Sequence, residues 1–302
     1  MQSINWFPGH MAKARREMTD SLKKVDAVVE LVDARLPIAS ANPMLRELIG
    51  AKPRIVVMTR IDLADPEQTR RWQEYFRMHN TAVVAVDAKS GNGVRNILPA
   101  LETAAAAKRD RDAKRGIRPR ALRTMVVGIP NVGKSSLINR LAGNASTKTG
   151  DRPGITKTQQ WIRLGRIELL DTPGVLWPKL EDEHGAYALA ISGAIKSDVL
   201  DLQAVSAYLI LWLSQHYPQV LFDRYQVSEA PSDPWVDAAT AWEAVEPTLV
   251  EIAKSRGLVK SGGVPDTERS AELLVRETQT GKLGRLSFEW APSTTDRAVD
   301  ET

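Results

Sequence analysis

The sequence predicts an α/β fold, a doubly wound and mostly parallel sheet, followed by a smaller all-helical domain. Three observations predict it. Short apolar runs alternate with helical patterns over roughly the first 180 residues, the pattern of strands buried on both faces and separated by helices. A glycine-bearing loop, GIPNVGKSS at 128–136, sits between one apolar run and one helical pattern. Beyond residue 180 the pattern becomes helical, apart from a possible short strand at GRLSFEW (284–290).

Taken in order, VDAVVELVDA (25–34), RIVVMT (54–59), AVVAVDA (82–88), ALRTMVVG (121–128) and RIELLDT (166–172) read as the strands. Residues 66–79 and 93–105 read as helices between them. Residues 108–120, KRDRDAKRGIRPR, form a dense basic run with Gly116 and Pro119, a linker or an exposed helix tail. The longest apolar stretch, Ala204–Leu213, is far short of a membrane span and reads as a buried helix. The expected division is a first domain over 1–178, with the basic linker at about 106–121 inside it, and a helical domain over 179–290. Residues 291–302 lack apolar periodicity and are expected to be disordered.

Composition narrows the class. A chain of 302 residues with 43% hydrophobic and 26% charged residues can bury sizeable cores without staples. The absence of cysteine excludes disulfides and thiolate metal sites. The N-terminal MQSINWFPGHMAKARREM carries positive charge with no apolar run behind it, so a cytoplasmic location is expected. The net charge of +4 hides a division: from Glu183 onward 18 acidic residues face 10 basic ones, leaving about +12 on the first 182 residues. A basic half favours a polyanionic partner.

Gly128, Gly133, Lys134 and Ser135 fit G-x-x-x-x-G-K-[ST]. The glycines let backbone N–H groups turn toward a β-phosphate, the lysine neutralises β/γ charge, and the serine hydroxyl binds Mg²⁺. An apolar strand before the loop and the helical SSLINRLAG after it would seat the phosphates at a helix N-terminus, where the dipole favours anions. LLDTPG (169–174) supplies a second half: Asp171 can hold Mg²⁺ through water, and the Gly174 N–H can sense a γ-phosphate. Between them, RPGITK (152–157) offers Thr156 as a further Mg²⁺ ligand.

TRID (59–62) ends an apolar strand and presents Asp62, whose carboxylate can accept from both N1–H and the exocyclic amine of guanine. Arg60 can lay its stem and guanidinium plane over the base. DAKSG (87–91) follows the next strand, with the Ala88 N–H placed to meet the guanine oxygen. Each motif is weak by itself; at two successive strand ends of one sheet they reinforce each other. The predicted GTP-binding set is Thr59, Arg60, Asp62, Asp87, Ala88, Lys89, Asn131, Val132, Gly133, Lys134, Ser135, Ser136 and Gly174.

The order base motifs, cradle, then switch motifs resembles the circularly permuted GTPases. NWFPGHMAKA (5–14), GIPNVGKSSLIN, RPGITKTQQW (152–161), DTPGVLWP (171–178) and the closing GKLGRLSFE (281–289) are similar to the signatures of the ribosome biogenesis GTPase A family, over nearly the whole chain. The resemblance implies a circularly permuted P-loop GTPase domain and GTP/GDP with Mg²⁺. It also implies docking on a maturing large ribosomal subunit, ribosomal RNA that stimulates hydrolysis, and departure with GDP. Neither DNA nor a membrane is an expected partner, and the chain is expected to act as a monomer. Similar GTPases use an asparagine such as Asn131 to hold a monovalent cation, which would make hydrolysis faster in K⁺ than in Na⁺.

Two departures stand out. Relatives usually begin the base motif Asn-Lys, where this chain has Thr59-Arg60. Val175 follows DTPG where many small GTPases place the glutamine that orients water. His10 is a candidate for that task, on a flexible loop after the Pro8-Gly9 turn, because a neutral imidazole accepts a hydrogen bond from water at physiological pH. Lys134, Thr156 and Gly174 complete the expected catalytic set. The basic run 108–123, with Trp161 or Trp177 as stacking groups, can contact RNA. The competing classes are a GTP-gated RNA-binding module with negligible turnover and a P-loop phosphotransferase.

Overall fold

The computed structural model describes residues 8–143, 160–171, 183–195, 201–231 and 234–292; the side chains of residues 8–15, Met44, Arg46 and Gln160 are left out of the description. These residues fall into two compact units. Unit 1 holds the described residues up to Asp171 together with Glu289–Pro292, and unit 2 those from Glu183 to Phe288.

Unit 1 is built on one sheet. Its strands are β1 (Ala27–Asp33), β2 (Arg54–Thr59), β3 (Ala82–Ala85), β4 (Leu122–Gly128), β5 (Gln160–Leu164) and β6 (Ile167–Asp171). They lie in the order β3-β2-β1-β4-β6-β5. All neighbours are parallel except β5, which runs antiparallel to β6 on the edge. Every residue of β1 is buried, as the centre of a doubly covered sheet requires. The strand order reverses between β1 and β4, and loops at the carboxyl ends of those strands flank the crevice where such sheets bind ligands.

The helices of unit 1 are α1 (Pro8–Lys23), α2 (Pro43–Ile49), α3 (Pro66–Met78), α4 (Ile97–Ala104), α5 (Ala106–Lys114) and α6 (Lys134–Gly143). Met18 and Leu22 of α1 and Leu45 and Ile49 of α2 pack with Val28, Met125, Val127 and Leu170. Trp72 and Phe76 of α3 pack with Val32, Val56 and Met58. α4 packs against β2 and β3, and α6 against β4 and β5. Asp65 starts α3: its carboxylate accepts from the N–H groups of Glu67 and Gln68, and Pro66 needs no such partner.

Unit 2 contains α7 (Glu183–Ser192), α8 (Leu202–His216), α9 (Pro218–Tyr225), α10 (Ala238–Arg256) and α11 (Thr267–Gln279). The apolar stretch 204–213 is the buried centre of α8. Asp201, Asp237 and Asp266 cap α8, α10 and α11 with their carboxylates, and Gly257 closes α10 in the left-handed conformation. Glu277 of α11 accepts two bonds from Arg224, at 2.8 and 2.9 Å, and one from the Tyr225 hydroxyl at 2.9 Å.

Several expectations change. Residues 284–290 form no strand; Phe288 and Leu286 are buried in a turn-rich segment whose Ser287 carbonyl accepts from Trp212 Nε1 instead of from a neighbouring strand. Ala291 is buried against Trp72 and Phe76, so order extends past the expected start of the tail. β3 stops at Ala85 because the Asp87 carboxylate accepts from the N–H groups of Lys89 and Ser90 and turns the chain. His10 lies in the first turn of helix α1, not on a loop, and its side chain is outside the described part. Of the two readings of the basic run, the exposed helix tail fits most of it, as α5, and two of its cations serve the fold: Lys108 and Arg120 both pair with Asp26, at 3.1 and 2.7 Å.

Candidate functional site

The cradle follows β4. A side chain at Gly128 would meet Val132 Cγ1 at 2.9 Å and the Leu31 carbonyl oxygen at 3.0 Å, so the loop can pass β1 only with glycine there. Gly133 has φ +100°, a conformation L side chains rarely adopt. Asn131 also takes a left-handed φ, of 58°, which asparagine tolerates better than most residues. The chain then enters α6 at Lys134, so Gly133 to Ser136 present their amides at a helix N-terminus.

Lys134 is buried, and desolvation lowers the pKa of its ammonium group, while the nearby Asp171 carboxylate works in the opposite direction. Asp171 ends β6 and is itself only 4% exposed. Ser135 is half-buried in the first turn of α6, and Ser136 is exposed. The hydroxyl of Ser135 and the buried carboxylate of Asp171 are oxygen donors, the kind Mg²⁺ prefers. Thr156, Gly174, Val175 and Trp177 lie outside the described residues.

The base motifs are joined to this cradle by three side chains. Thr59 donates its hydroxyl hydrogen to the Val132 carbonyl at 2.6 Å. Arg60, held at φ 58°, donates from Nη2 to the Asn131 carbonyl at 2.6 Å. From the far side, Arg140 of α6 donates to the carbonyls of Ala88 (3.2 Å) and Lys89. Two successive carbonyls of the cradle are thus held from β2, and the loop at 87–91 is held from the cradle's own helix.

Asp62 keeps a partly exposed carboxylate with Lys89 Nζ at 3.6 Å. Burial raises the pKa of Asp87, but hydrogen bonds from Ser90 and Lys89 outweigh it and hold the carboxyl below its usual range. Gly93 closes this loop: a side chain there would lie 2.1 Å from the Ala85 carbonyl oxygen.

Two positions in contact with the site's loops escaped sequence reasoning. Asp33 ends β1 beneath the site and takes a two-point ion pair from Arg35, at 2.8 and 3.0 Å. Arg60 stands 3.8 Å from the same carboxylate. Burial pushes the Asp33 pKa up, and the guanidinium groups of Arg35 and Arg60 more than reverse that. The second is Arg140. Charges two residues apart at the end of a mostly apolar strand were the available signal for the first; a lone helical arginine offers none.

A family model described as a 50S ribosome-binding GTPase matches residues 123–220. The chain is 47% identical to ribosome biogenesis GTPase A of Bacillus cereus over 287 residues, covering 95% of this chain and 93% of that protein. It is 30% identical to the protein of the same name from Thermotoga maritima, over 95% and 94% of the two chains. Among solved structures it is similar to GNP-bound YlqF from T. maritima, with a TM-score of 0.63, 28% identity and 93% and 99% coverage. A GDP-bound YlqF gives a TM-score of 0.64 at 27% identity, covering 91% and 99%.

Proposed function

The chain belongs to the ribosome biogenesis GTPase A family and is a GTP hydrolase, and from that premise we propose that it serves the large ribosomal subunit, with hydrolysis stimulated by the particle. The observation that carries the reading is the joining of the two half-sites: Thr59, Arg60 and Arg140 tie the base-reading loops to the cradle, so the permuted chain still supports one site.

In this reading the Asp62 carboxylate accepts from N1–H and the amine of guanine. The Ala88 N–H donates to the guanine oxygen, and the Arg60 stem lies beside the base. The amides of Gly133 to Ser136 and the Lys134 ammonium hold the β- and γ-phosphates. Ser135, Asp171 and Thr156 are the proposed Mg²⁺ ligands, and the bound ion neutralises phosphate charge that develops during transfer. Hydrolysis needs a group to orient water in place of Val175, for which His10 is the proposed residue. Asn131 is proposed to favour K⁺.

The deciding measurement is GTP turnover against added large subunits, small subunits and bare RNA. Large subunits should stimulate, and Lys134→Ala should abolish turnover with its circular dichroism unchanged. Equal stimulation by small subunits would remove the large-subunit assignment. The same assay run with His10→Ala, and in K⁺ against Na⁺, tests the two remaining roles: full stimulated turnover or equal rates removes each.

A further inference from the structure

Glu289–Ala291 belong to unit 1, although more than a hundred residues separate them from its last described strand. They are anchored on α3: Trp72 Nε1 donates to the Glu289 carbonyl at 3.1 Å, and the Ala291 N–H donates to Gln68 Oε1 at 3.2 Å. Glu289 then grips the loop that follows β1 at three points. Its N–H donates to the Arg35 carbonyl at 3.2 Å. Its carboxylate accepts from the N–H groups of Ile38 and Ala39, both at 2.7 Å.

That loop carries Arg35, and Arg35 saturates Asp33 through Nε, Nη2 and its own backbone N–H. Asp33 therefore faces two guanidinium groups, with Arg35 in direct contact and Arg60 at 3.8 Å. So placed, Arg60 directs Nη2 to the Asn131 carbonyl of the cradle. If the loop were released and Arg35 withdrew, the buried Asp33 carboxylate would attract Arg60 and pull it off the cradle, because a buried carboxylate cannot remain unpaired at low cost.

We propose that Glu289 is a positioning residue for guanine nucleotide: by fixing the β1 loop it keeps Arg35 on Asp33 and Arg60 on the Asn131 carbonyl. This rests on the assignment of the cradle as the GTP site. Glu289 touches no nucleotide in this account; it acts only through Arg35, Asp33 and Arg60.

The test is a GDP titration on the full-length chain for Glu289→Gln, Arg60→Lys, the double variant and Lys134→Ala. Glu289→Gln has only one acceptor for two N–H groups, and it should weaken GDP binding about fivefold. The double variant should bind no more weakly than Arg60→Lys alone, because both changes break one path. Trp72→Phe, which loses the bond to the Glu289 carbonyl together with part of the core packing around it, should shift affinity in the same direction and lower the nucleotide-free thermal midpoint. Normal GDP affinity in Glu289→Gln, or additive losses in the double variant, would overturn the proposal while Lys134→Ala still impairs binding. Normal binding by Lys134→Ala would instead sink the cradle assignment beneath it.

Discussion

At the scale of single residues, the two substitutions in the base motif turn out to be chemically coherent. Thr59 needs only one hydroxyl hydrogen to reach the Val132 carbonyl, and Arg60 spans to the neighbouring carbonyl. Neither role demands an asparagine or a lysine. Asp62 keeps its carboxylate partly exposed at the end of that motif. Asp62→Asn should therefore weaken GTP binding by tenfold or so and improve binding of xanthosine triphosphate, since an amide suits the xanthine edge. A competition titration checks both signs; unchanged guanine affinity removes Asp62 from the base site. The position of these residues after a strand was legible from the apolar run that precedes them. Asp33 and Arg35 were not, because their pairing depends on the path of the β1 loop, and the sequence writes them as ordinary charges after a strand.

At the scale of elements, α6 is the piece on which the site depends most. Its first turn carries Lys134 and Ser135 of the P-loop, and Arg140 in its second turn holds the carbonyls of Ala88 and Lys89. Arg140→Ala should leave the cradle intact but free the loop at 87–91, so GDP should dissociate about five- to tenfold faster with little change in association. Stopped-flow release of a fluorescent GDP measures this; an unchanged off-rate would show that the loop needs no such clamp. The five strands and the two central helices were legible from apolar runs and helical spacing. β5 was not, because an edge strand with an exposed Trp161 and an Arg163 in it shows no continuous apolar run. α1 was also missed, since among its described side chains Met18 and Leu22 are the buried apolar ones, set among many charges.

At the scale of the whole molecule, Asp26 joins segments far apart in the chain. It accepts two bonds from Arg120, at 2.7 and 2.9 Å, one from the Arg123 N–H at 3.1 Å, and pairs with Lys108. Burial raises its pKa, but Arg120, the Arg123 N–H and Lys108 together hold the carboxyl below its usual range. Its stabilising contribution is thus complete at neutral pH and is lost as pH falls below about 4, through the folded-state value. Asp26→Asn should lower stability by about 1–2 kcal/mol at pH 7, and the difference from wild type should shrink on acidification. Denaturant melts at both pH values check this, and a difference that is independent of pH would show the carboxylate charge to be irrelevant. The sheet order carries a last consequence, for the time course of folding. β1 meets β2 across a short connection, but its other neighbour is β4, where Ala27 pairs with Thr124, about a hundred residues later. A chain growing from its N-terminus therefore completes the half that carries TRID and DAKSG first, with the mostly apolar β1 exposed along one open edge until β4 is made. The late pairing of β4 both covers that edge and delivers the phosphate cradle, so nucleotide can act as a ligand only for a chain that has already passed its most aggregation-prone stage.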